Sequence, residues 1–369
     1  MKFSLPREQF LAQLGVAVRG VSARSAIQTL SGVLLTTSEA GVEMQATDME
    51  LGIRVRVDAS PERAGAVLLP GRLLLDVVRS LAGEDLTLEA RAQEGDVEVS
   101  SGAASFHLRT LPTDDFPSLP EPDGAEVRLP TGAFAETVGR VARAASRDET
   151  RPHLTGVLVS ASGTELRMVA TDSYRLSVKE TTLETPVEGS IEANVPARAL
   201  QELSRIASSG AGDEVAVAAR RNQVVFEVGS GTLSSRRVEG KFPNYRQLLP
   251  EGYEHELRLD GAELLATVRR VSLLAQRNAP LRLAFRDGEL EVSARTPDVG
   301  EAREKMPVAF QGETLEIGFN PEFLRDGLES AGTDDLVLKL ISPLRPGLIQ
   351  SGSDGDEFIY LVMPIRLNV

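Results

Sequence analysis

The segment Val42-Glu-Met-Gln-Ala-Thr-Asp48 decides the fold, because it recurs twice further along the chain. It returns as Leu166-Arg-Met-Val-Ala-Thr-Asp172 and, more weakly, as Leu290-Glu-Val-Ser-Ala-Arg-Thr296, each copy about 124 residues after the one before. Apolar and polar residues alternate in all three copies, which predicts a strand with one buried face. A repeat of this period indicates a chain built from three similar units.

Two helices repeat in step with this strand. Segments that open beside a proline predict a short helix in each unit, at residues 70–76, 196–202 and 320–326. A longer amphipathic helix begins each unit, because apolar residues at i, i+4 spacing share one face. The paired positions are Phe10 with Leu14, Phe134 with Val138, and Leu264 with Val268. The predicted helices span 6–20, 71–83, 131–147, 197–209, 261–277 and 321–331.

Helices combined with antiparallel strands in each unit predict an α+β fold, in which two helices pack on antiparallel sheet. Proline-rich joints separate the units at residues 116–122 and 242–250. We therefore expect three tandem domains at 1–121, 122–249 and 250–369. Each is long enough to bury its own core.

Charge is distributed unevenly along the chain. The net charge is −14, which by itself argues against a nucleic-acid partner. The six predicted helices nevertheless carry a net positive charge, whereas the strands and loops are acidic. If the helices face one way, that face can hold a phosphate backbone through charge alone, without base readout. The alternative is a solvated helix surface with arginines placed by chance.

The sequence contains no recognisable catalytic motif. The three histidines lack metal-ligand spacing, there is no cysteine, and no glycine-rich phosphate-binding loop opens a helix. Asp48 and Asp172 could form the metal site of a hydrolase or nuclease, although an aspartate at a strand end usually caps a turn. A second alternative is a repeat-built scaffold that never touches DNA, with arginine on all helix faces. We expect a binding protein that is not an enzyme and has no cofactor.

Hydropathy indicates no membrane partner. No run of 18 apolar residues is present, and the first residues lack the apolar region of a signal peptide. We expect a cytoplasmic protein.

Seven motifs carry a family resemblance. They are Met1-Lys-Phe3, Ala46-Thr-Asp-Met-Glu50, Thr110-Leu-Pro-Thr-Asp-Asp-Phe-Pro117, Val169-Ala-Thr-Asp-Ser-Tyr-Arg-Leu176, Lys241-Phe-Pro-Asn-Tyr245, Glu316-Ile-Gly-Phe-Asn320 and Tyr360-Leu-Val-Met-Pro-Ile-Arg-Leu367. With all seven motifs in this order, the chain resembles the bacterial sliding clamp, the beta subunit of DNA polymerase III, over its whole length. The resemblance implies a processivity factor, in which a head-to-tail homodimer forms a six-domain ring around duplex DNA of any sequence. It also implies three kinds of protein partner: the replicative polymerase, a clamp loader, and other replication and repair proteins with a clamp-binding motif.

The resemblance also implies the sites. Partner peptides would bind a pocket formed by Thr171, Ser173, Tyr174, Arg175, Leu176, Pro243, Leu248, Leu361, Met363, Pro364 and Ile365. Ser173 and Tyr174 stand where the family commonly has glycine and histidine, and Arg175 would be the polar anchor of the pocket. DNA would contact Arg24, Arg72, Arg79 and Arg198. Loop 146–153 matches a family DNA loop poorly, because Pro152 and His153 stand where some members have aromatic residues. The dimer contact would join Phe106 of one subunit to Leu273 and Leu274 of the other.

Overall fold

Six helices are present in the part of the chain that the computed structural model describes, which is residues 1–22, 26–121, 127–208, 212–275, 279–332 and 335–367. They are α1 (Arg7–Ala17), α2 (Gly71–Ser80), α3 (Thr131–Val141), α4 (Ala197–Ala207), α5 (Gly261–Ser272) and α6 (Pro321–Ala331). Each lies where the repeat predicts one. The predicted helices 6–20 and 131–147 are shorter α-helices that continue as 3-10 turns, at Val18–Gly20 and Ala142–Ala144.

Strands make up most of the remaining chain. They are β1 (Lys2–Pro6), β2 (Gly32–Ser38), β3 (Gly41–Thr47), β4 (Leu51–Val57), β5 (Gly65–Pro70), β6 (Asp85–Arg91), β7 (Asp96–Ser101), β8 (Ala104–Arg109), β9 (Val127–Pro130), β10 (Gly156–Thr171), β11 (Arg175–Pro196), β12 (Glu214–Ala219), β13 (Gln223–Val228), β14 (Gly231–Arg236), β15 (His255–Asp260), β16 (Leu281–Arg286), β17 (Glu289–Thr296), β18 (Gly300–Pro307), β19 (Leu315–Phe319), β20 (Asp335–Leu340), β21 (Gly347–Ser351) and β22 (Phe358–Val362). The three repeated strand segments lie in β3, β10 and β17, as predicted.

The described chain divides into two compact units. The first comprises Met1–Gly132 with Glu202–Arg237, and the second comprises Ala133–Gln201 with Val238–Val369. The first holds an antiparallel eight-stranded sheet, β5-β2-β3-β4-β14-β13-β12-β9, and a four-stranded sheet, β1-β6-β7-β8. The second holds a six-stranded sheet, β10-β11-β22-β21-β20-β15, and a four-stranded sheet, β18-β17-β16-β19. Because β4 pairs with β14 and β11 with β22, strand pairing crosses the predicted domain boundaries, which stay a prediction.

The helix pattern follows from burial and capping. The six aligned apolar residues that defined the first helix of each repeat are all at most 1% exposed. Asn320 starts α6 by accepting hydrogen bonds from the backbone N–H groups of Glu322 and Phe323, and Pro321 occupies the first helical position. None of the helices in the described residues is long and apolar enough to span a bilayer.

Each Ala-Thr-Asp segment forms the same turn. Its threonine hydroxyl donates to the carbonyl of the residue four positions on, at 2.9 Å in the first copy and 2.6 Å in the second. Its aspartate accepts two backbone N–H groups at 2.8–3.1 Å. The next residue has a positive φ, 78° at Met49 and 80° at Ser173. Asp48 and Asp172 are therefore turn caps, and the described residues contain no group of three side chains able to hold a metal.

Candidate partner-binding groove and helix surface

The turn that precedes β11 lies beside the end of the C-terminal strand β22, which pairs with β11 within the six-stranded sheet. β11 begins at Arg175, and Leu176 lies opposite Leu361 in the antiparallel pairing of the two strands. Just beyond β22, the backbone N–H of Met363 donates to the carbonyl of Tyr174 at 2.8 Å. Two chain regions about 190 residues apart in the sequence are thus held together, as the predicted peptide site requires.

The C-terminal segment then crosses to β19. The backbone N–H of Ile365 donates to the carbonyl of Gly318 at 2.7 Å. A Cβ atom at position 318 would lie 2.7 Å from the Ile365 carbonyl oxygen, so the close approach needs glycine. Pro364 and Ile365 are half-buried along this crossing.

A buried apolar cluster forms the floor of this region. Its members are Val169, Leu176, Val178, Tyr245, Leu348 and Leu361. Phe242 and Leu249 pack against it from either side of Tyr245. Leu176 and Leu361 were predicted at the peptide site, whereas Tyr245 and Phe242, which lie in or against the same cluster, were not. The two aromatic residues that flank Pro243 and Asn244 were the available signal.

Three apolar side chains at the border of this floor are exposed. Tyr174 is 59% exposed, Leu248 is 49% exposed and Met363 is 41% exposed. Leu248 ends the 3-10 turn Tyr245–Leu248, which follows the half-buried Pro243. Exposed apolar side chains around a buried apolar floor are typical of a surface that receives a ligand. We call this surface the groove.

Arg175 differs from the polar anchor expected at this site, because it is only 5% exposed and bound inside the protein. Its Nε donates to Asp172 at 3.0 Å, its Nη1 donates to Asp326 at 2.6 Å, and its guanidinium lies 4.3 Å from the ring centre of Phe323. Desolvation opposes its charge, but Tyr360 and the two carboxylates outweigh this and raise the pKa of Arg175. Arg175 therefore fixes the turn against α6, and its direct contact with a peptide stays a prediction.

Phe323, Asp326 and Tyr360 contact Tyr174 or Arg175 and were not predicted there. The ring of Tyr174 is stacked on that of Phe323, with 6.5 Å between centroids. The Tyr360 hydroxyl donates to the Phe323 carbonyl at 2.9 Å, and burial raises the pKa of Tyr360. Asp326 had a signal, since acids recur at this helix position in all three units. Phe323 had none.

The predicted DNA contacts that can be located lie on helices. Arg72 and Arg79 are exposed on α2, and Arg198 is exposed on α4. Arg79 lies 3.8 Å from Asp76. Arg24 lies outside the described residues. In loop 146–153, Nη1 of Arg151 donates to the hydroxyl of Ser173 at 3.1 Å, which connects this loop to the turn before β11.

The predicted dimer residues lie at sheet edges or next to them. Phe106 is 38% exposed on β8, the outer strand of the four-stranded sheet in the first unit. Leu273 directly follows α5 and is 83% exposed, while Leu274 is half-buried. The Thr296 hydroxyl at the end of β17 donates to the Leu274 carbonyl at 2.6 Å, and β18 is the next, outermost strand.

A triplicated α+β fold with an apolar groove at a sheet end and arginines on its helices defines a binding protein of the DNA-clamp class. Three family models cover nearly the whole chain. The N-terminal, central and C-terminal domains of the DNA polymerase III beta subunit match residues 1–120, 128–244 and 246–366. The chain therefore belongs to the DNA polymerase III beta subunit family.

Individual relatives agree over full length. The beta sliding clamp of Streptomyces coelicolor is 33% identical, with all of both chains covered. The crystal structure of the Bacillus subtilis sliding clamp has a TM-score of 0.91 at 27% identity, and that of a Pseudomonas aeruginosa sliding clamp bound to griselimycin has 0.89 at 29%, both with all of each chain covered. These findings confirm the predicted fold and sliding-clamp function. The family is a non-enzymatic processivity factor, so the protein is not an enzyme.

Proposed function

We propose that this sliding clamp works as a closed homodimeric ring that holds duplex DNA in a helix-lined opening and recruits partners through the groove. The groove is the single observation that carries the recruitment half of this proposal. Its floor is a packed apolar cluster, while Tyr174, Leu248 and Met363 around it are left exposed. A soluble protein exposes such a surface to water only at a free-energy cost, which a bound partner removes.

The strand pairing within the chain supports ring closure. The fourth strand of the first repeat, β4, pairs with β14 of the second, and the corresponding stretch of β11 pairs with β22 of the third. The same rule leaves β18 and β8 without a pairing strand on their outer edges. Pairing of β18 of one subunit with β8 of another, repeated by symmetry, closes a head-to-tail ring. Leu273, Leu274 and Phe106 would be buried there, and the domain boundaries would fall at 121/122 and 249/250.

The DNA contacts would be made to phosphates. Arg24, Arg72, Arg79 and Arg198 offer guanidinium groups that remain charged at all usable pH values. Contacts of this kind carry no sequence information, so binding should be weak, steeply salt-dependent and the same for all sequences. The protein would act on the chromosome in the cytoplasm.

The groove would bind short peptides of the polymerase, the clamp loader and other replication and repair proteins. An aliphatic floor with a methionine at its border accommodates spaced apolar side chains. The wall residues would be Thr171, Ser173, Tyr174, Arg175, Leu176, Pro243, Leu248, Leu361, Met363, Pro364 and Ile365. Phe323, which stacks on Tyr174, and Tyr245, which belongs to the same buried cluster as Leu176, would join them. Because Nε and Nη1 of Arg175 are engaged inside the protein, we expect apolar contacts to supply most of the affinity.

Loading on nicked circular DNA tests the ring. With a clamp loader and ATP, the wild-type protein should remain on circles during gel filtration and be lost after the circle is cut. Combined charge reversal of Arg72 and Arg198 to glutamate should reduce retention equally on circles of different sequence. Retention that survives linearisation, or strong preference for one sequence, would argue for ordinary DNA binding instead of topological linkage. Absence of any retention would favour a scaffold.

Peptide titration tests the groove. Leu176→Ala with Met363→Ala removes one floor and one border side chain, and loss of about 1–2 kcal/mol from each predicts roughly 100-fold weaker binding of a loader-derived peptide by fluorescence anisotropy. Leu73→Ala is the matched control, because this leucine is 50% exposed on α2, in the other unit. Wild-type affinity in the double variant, with an intact dimer, would place the peptide site elsewhere.

A further inference from the structure

Two glutamates on the helices each hold a pair of arginines. Glu202 on α4 accepts a hydrogen bond from Nη1 of Arg19 at 2.9 Å and another from Nη1 of Arg205 at 2.5 Å. Its side chain is only 15% exposed, whereas the arginines are 41% and 57% exposed. The carboxylate therefore lies beneath the two guanidinium groups, which face solvent.

Glu329 on α6 repeats this arrangement in the second unit. It accepts a hydrogen bond from Nη2 of Arg269 on α5 at 2.8 Å and another from Arg143 in the 3-10 turn after α3. It is 22% exposed, and its arginines are 56% and 45% exposed. Desolvation opposes its charge, but the hydrogen bonds from Arg269 and Arg143 outweigh this and lower the pKa of Glu329.

The two arrangements are not copies inherited from the repeat. Arg19 and Arg143 occupy equivalent positions, about 124 residues apart. The glutamates do not, because Glu202 aligns with Asp326 and Glu329 aligns with Arg205. A carboxylate between two arginines is thus built twice from different positions, which favours a selected property of the helix surface over the accident of duplication.

An arginine held in this way is a weaker ligand for phosphate. A phosphate oxygen must displace the carboxylate or share the guanidinium with it, and each glutamate cancels one of the two positive charges that its arginines carry. Arg72 offers the contrast, since it is exposed and makes no ion pair within the described residues. We infer that Glu202 and Glu329 lower the affinity of the helix surface for the DNA backbone, so that the protein slides on duplex DNA without being held at one place. This inference rests on the proposed function.

Removing the two carboxylates tests it. Binding of the intact dimer to a short linear duplex is followed by fluorescence anisotropy over a series of salt concentrations. Glu202→Gln with Glu329→Gln should bind more tightly at every concentration, with a slope of log K against log salt steeper by roughly one to two. The matched control is Glu263→Gln with Glu322→Gln, which removes the same charge from two exposed helix glutamates that make no ion pair among the described residues. Its slope should stay near that of the wild type.

The outcomes separate three explanations. Equal gains in both double variants would mean that net charge acts at long range, and weaker binding in Glu202→Gln with Glu329→Gln would mean that the glutamates orient the arginines for DNA. Either result overturns the inference. If the double variant is not a stable dimer, Glu329→Gln alone is measured. Half of the effect on the slope is then expected, and an unchanged slope would overturn the inference. Salt-independent binding of the wild type would instead refute the proposed DNA contact itself.

Discussion

Replacing Leu273 with alanine should dissociate the proposed dimer, and the structure gives the magnitude. The helix alignment places Leu273 at the position of Arg19 and Arg143, so a leucine stands where the first two repeats use an arginine to reach a glutamate. Its side chain is 83% exposed. Complete burial of a leucine side chain contributes about 1.5–3 kcal/mol. Because Leu273 is mostly exposed in the single chain, its burial in the dimer would contribute about 2 kcal/mol per interface.

A two-fold symmetric ring contains this contact twice. Loss of both therefore removes about 4 kcal/mol from dimerisation, which weakens the dimer roughly a thousandfold. Sedimentation equilibrium over a range of protein concentrations measures the dissociation constant, and circular dichroism shows whether the monomer is folded. Adding Leu274→Ala should increase the effect.

An exposed leucine elsewhere is the control. Leu344 lies in the loop between β20 and β21 and is 59% exposed. Leu344→Ala removes the same atoms and should leave the dissociation constant unchanged. If Leu273→Ala also leaves the dissociation constant unchanged, Leu273 is not an interface residue, and any contact between β8 and β18 is made by other residues of these strands.

Two further predictions concern stability. Gly327→Ala should destabilise the protein by about 1–2 kcal/mol in urea unfolding, because a Cβ there would lie 2.5 Å from the Tyr360 ring. A Cβ at Gly139 on α3 would meet nothing within 4 Å, so Gly139→Ala should stabilise the protein by about 0.5–1 kcal/mol. Desolvation opposes the charge of Asp356, but hydrogen bonds from Lys179 and a neighbouring arginine outweigh this and lower its pKa below the usual 3.8. Asp356→Asn leaves Lys179 buried without its carboxylate, so it should cost about 3 kcal/mol at pH 7. The difference in free energy of unfolding between wild type and variant should persist above pH 3.8. It should disappear as pH falls through the lowered pKa of Asp356 in the folded protein, and a difference independent of pH would refute this assignment.

Periodicity predicted the elements well because it is a local signal. Phe10, Phe134 and Leu264 each appear one helical turn before a second apolar residue, and all are buried. The third copy of the repeated strand was predicted from its alternation, although Ala-Thr-Asp has become Ala-Arg-Thr there. The long strands were not predicted. β10 runs without a break from Gly156 to Thr171, whereas the first repeat has two separate strands, β2 and β3, in the corresponding stretch. The pairing of β10 with β11 shifts register around Gly163.

The groove was predictable only in part because its walls come from distant parts of the chain. The family resemblance implied that the turn and the C-terminal strand lie together, and the pairing of β11 with β22 brings them together. Nothing local to Arg175 indicates that Asp326, about 150 residues later, neutralises it, or that Phe323 covers its guanidinium. Whether a charged side chain is available to a ligand depends on burial and partners, which a single sequence does not display.

The same limit applies to the helix surface, where counting arginines overestimates the available positive charge. Arg140 is bound to Asp356 and Arg270 to Glu304, in addition to the four arginines held by Glu202 and Glu329. Arg72 is an exception among the described helix residues. An ordinary DNA-binding protein would lose affinity through such pairing, because its residence depends on phosphate contacts. A closed ring stays on DNA by topology, so short-lived contacts suffice. Helix arginines whose positive charge is partly neutralised, in a protein with a net charge of −14, suit a clamp that must move along the duplex.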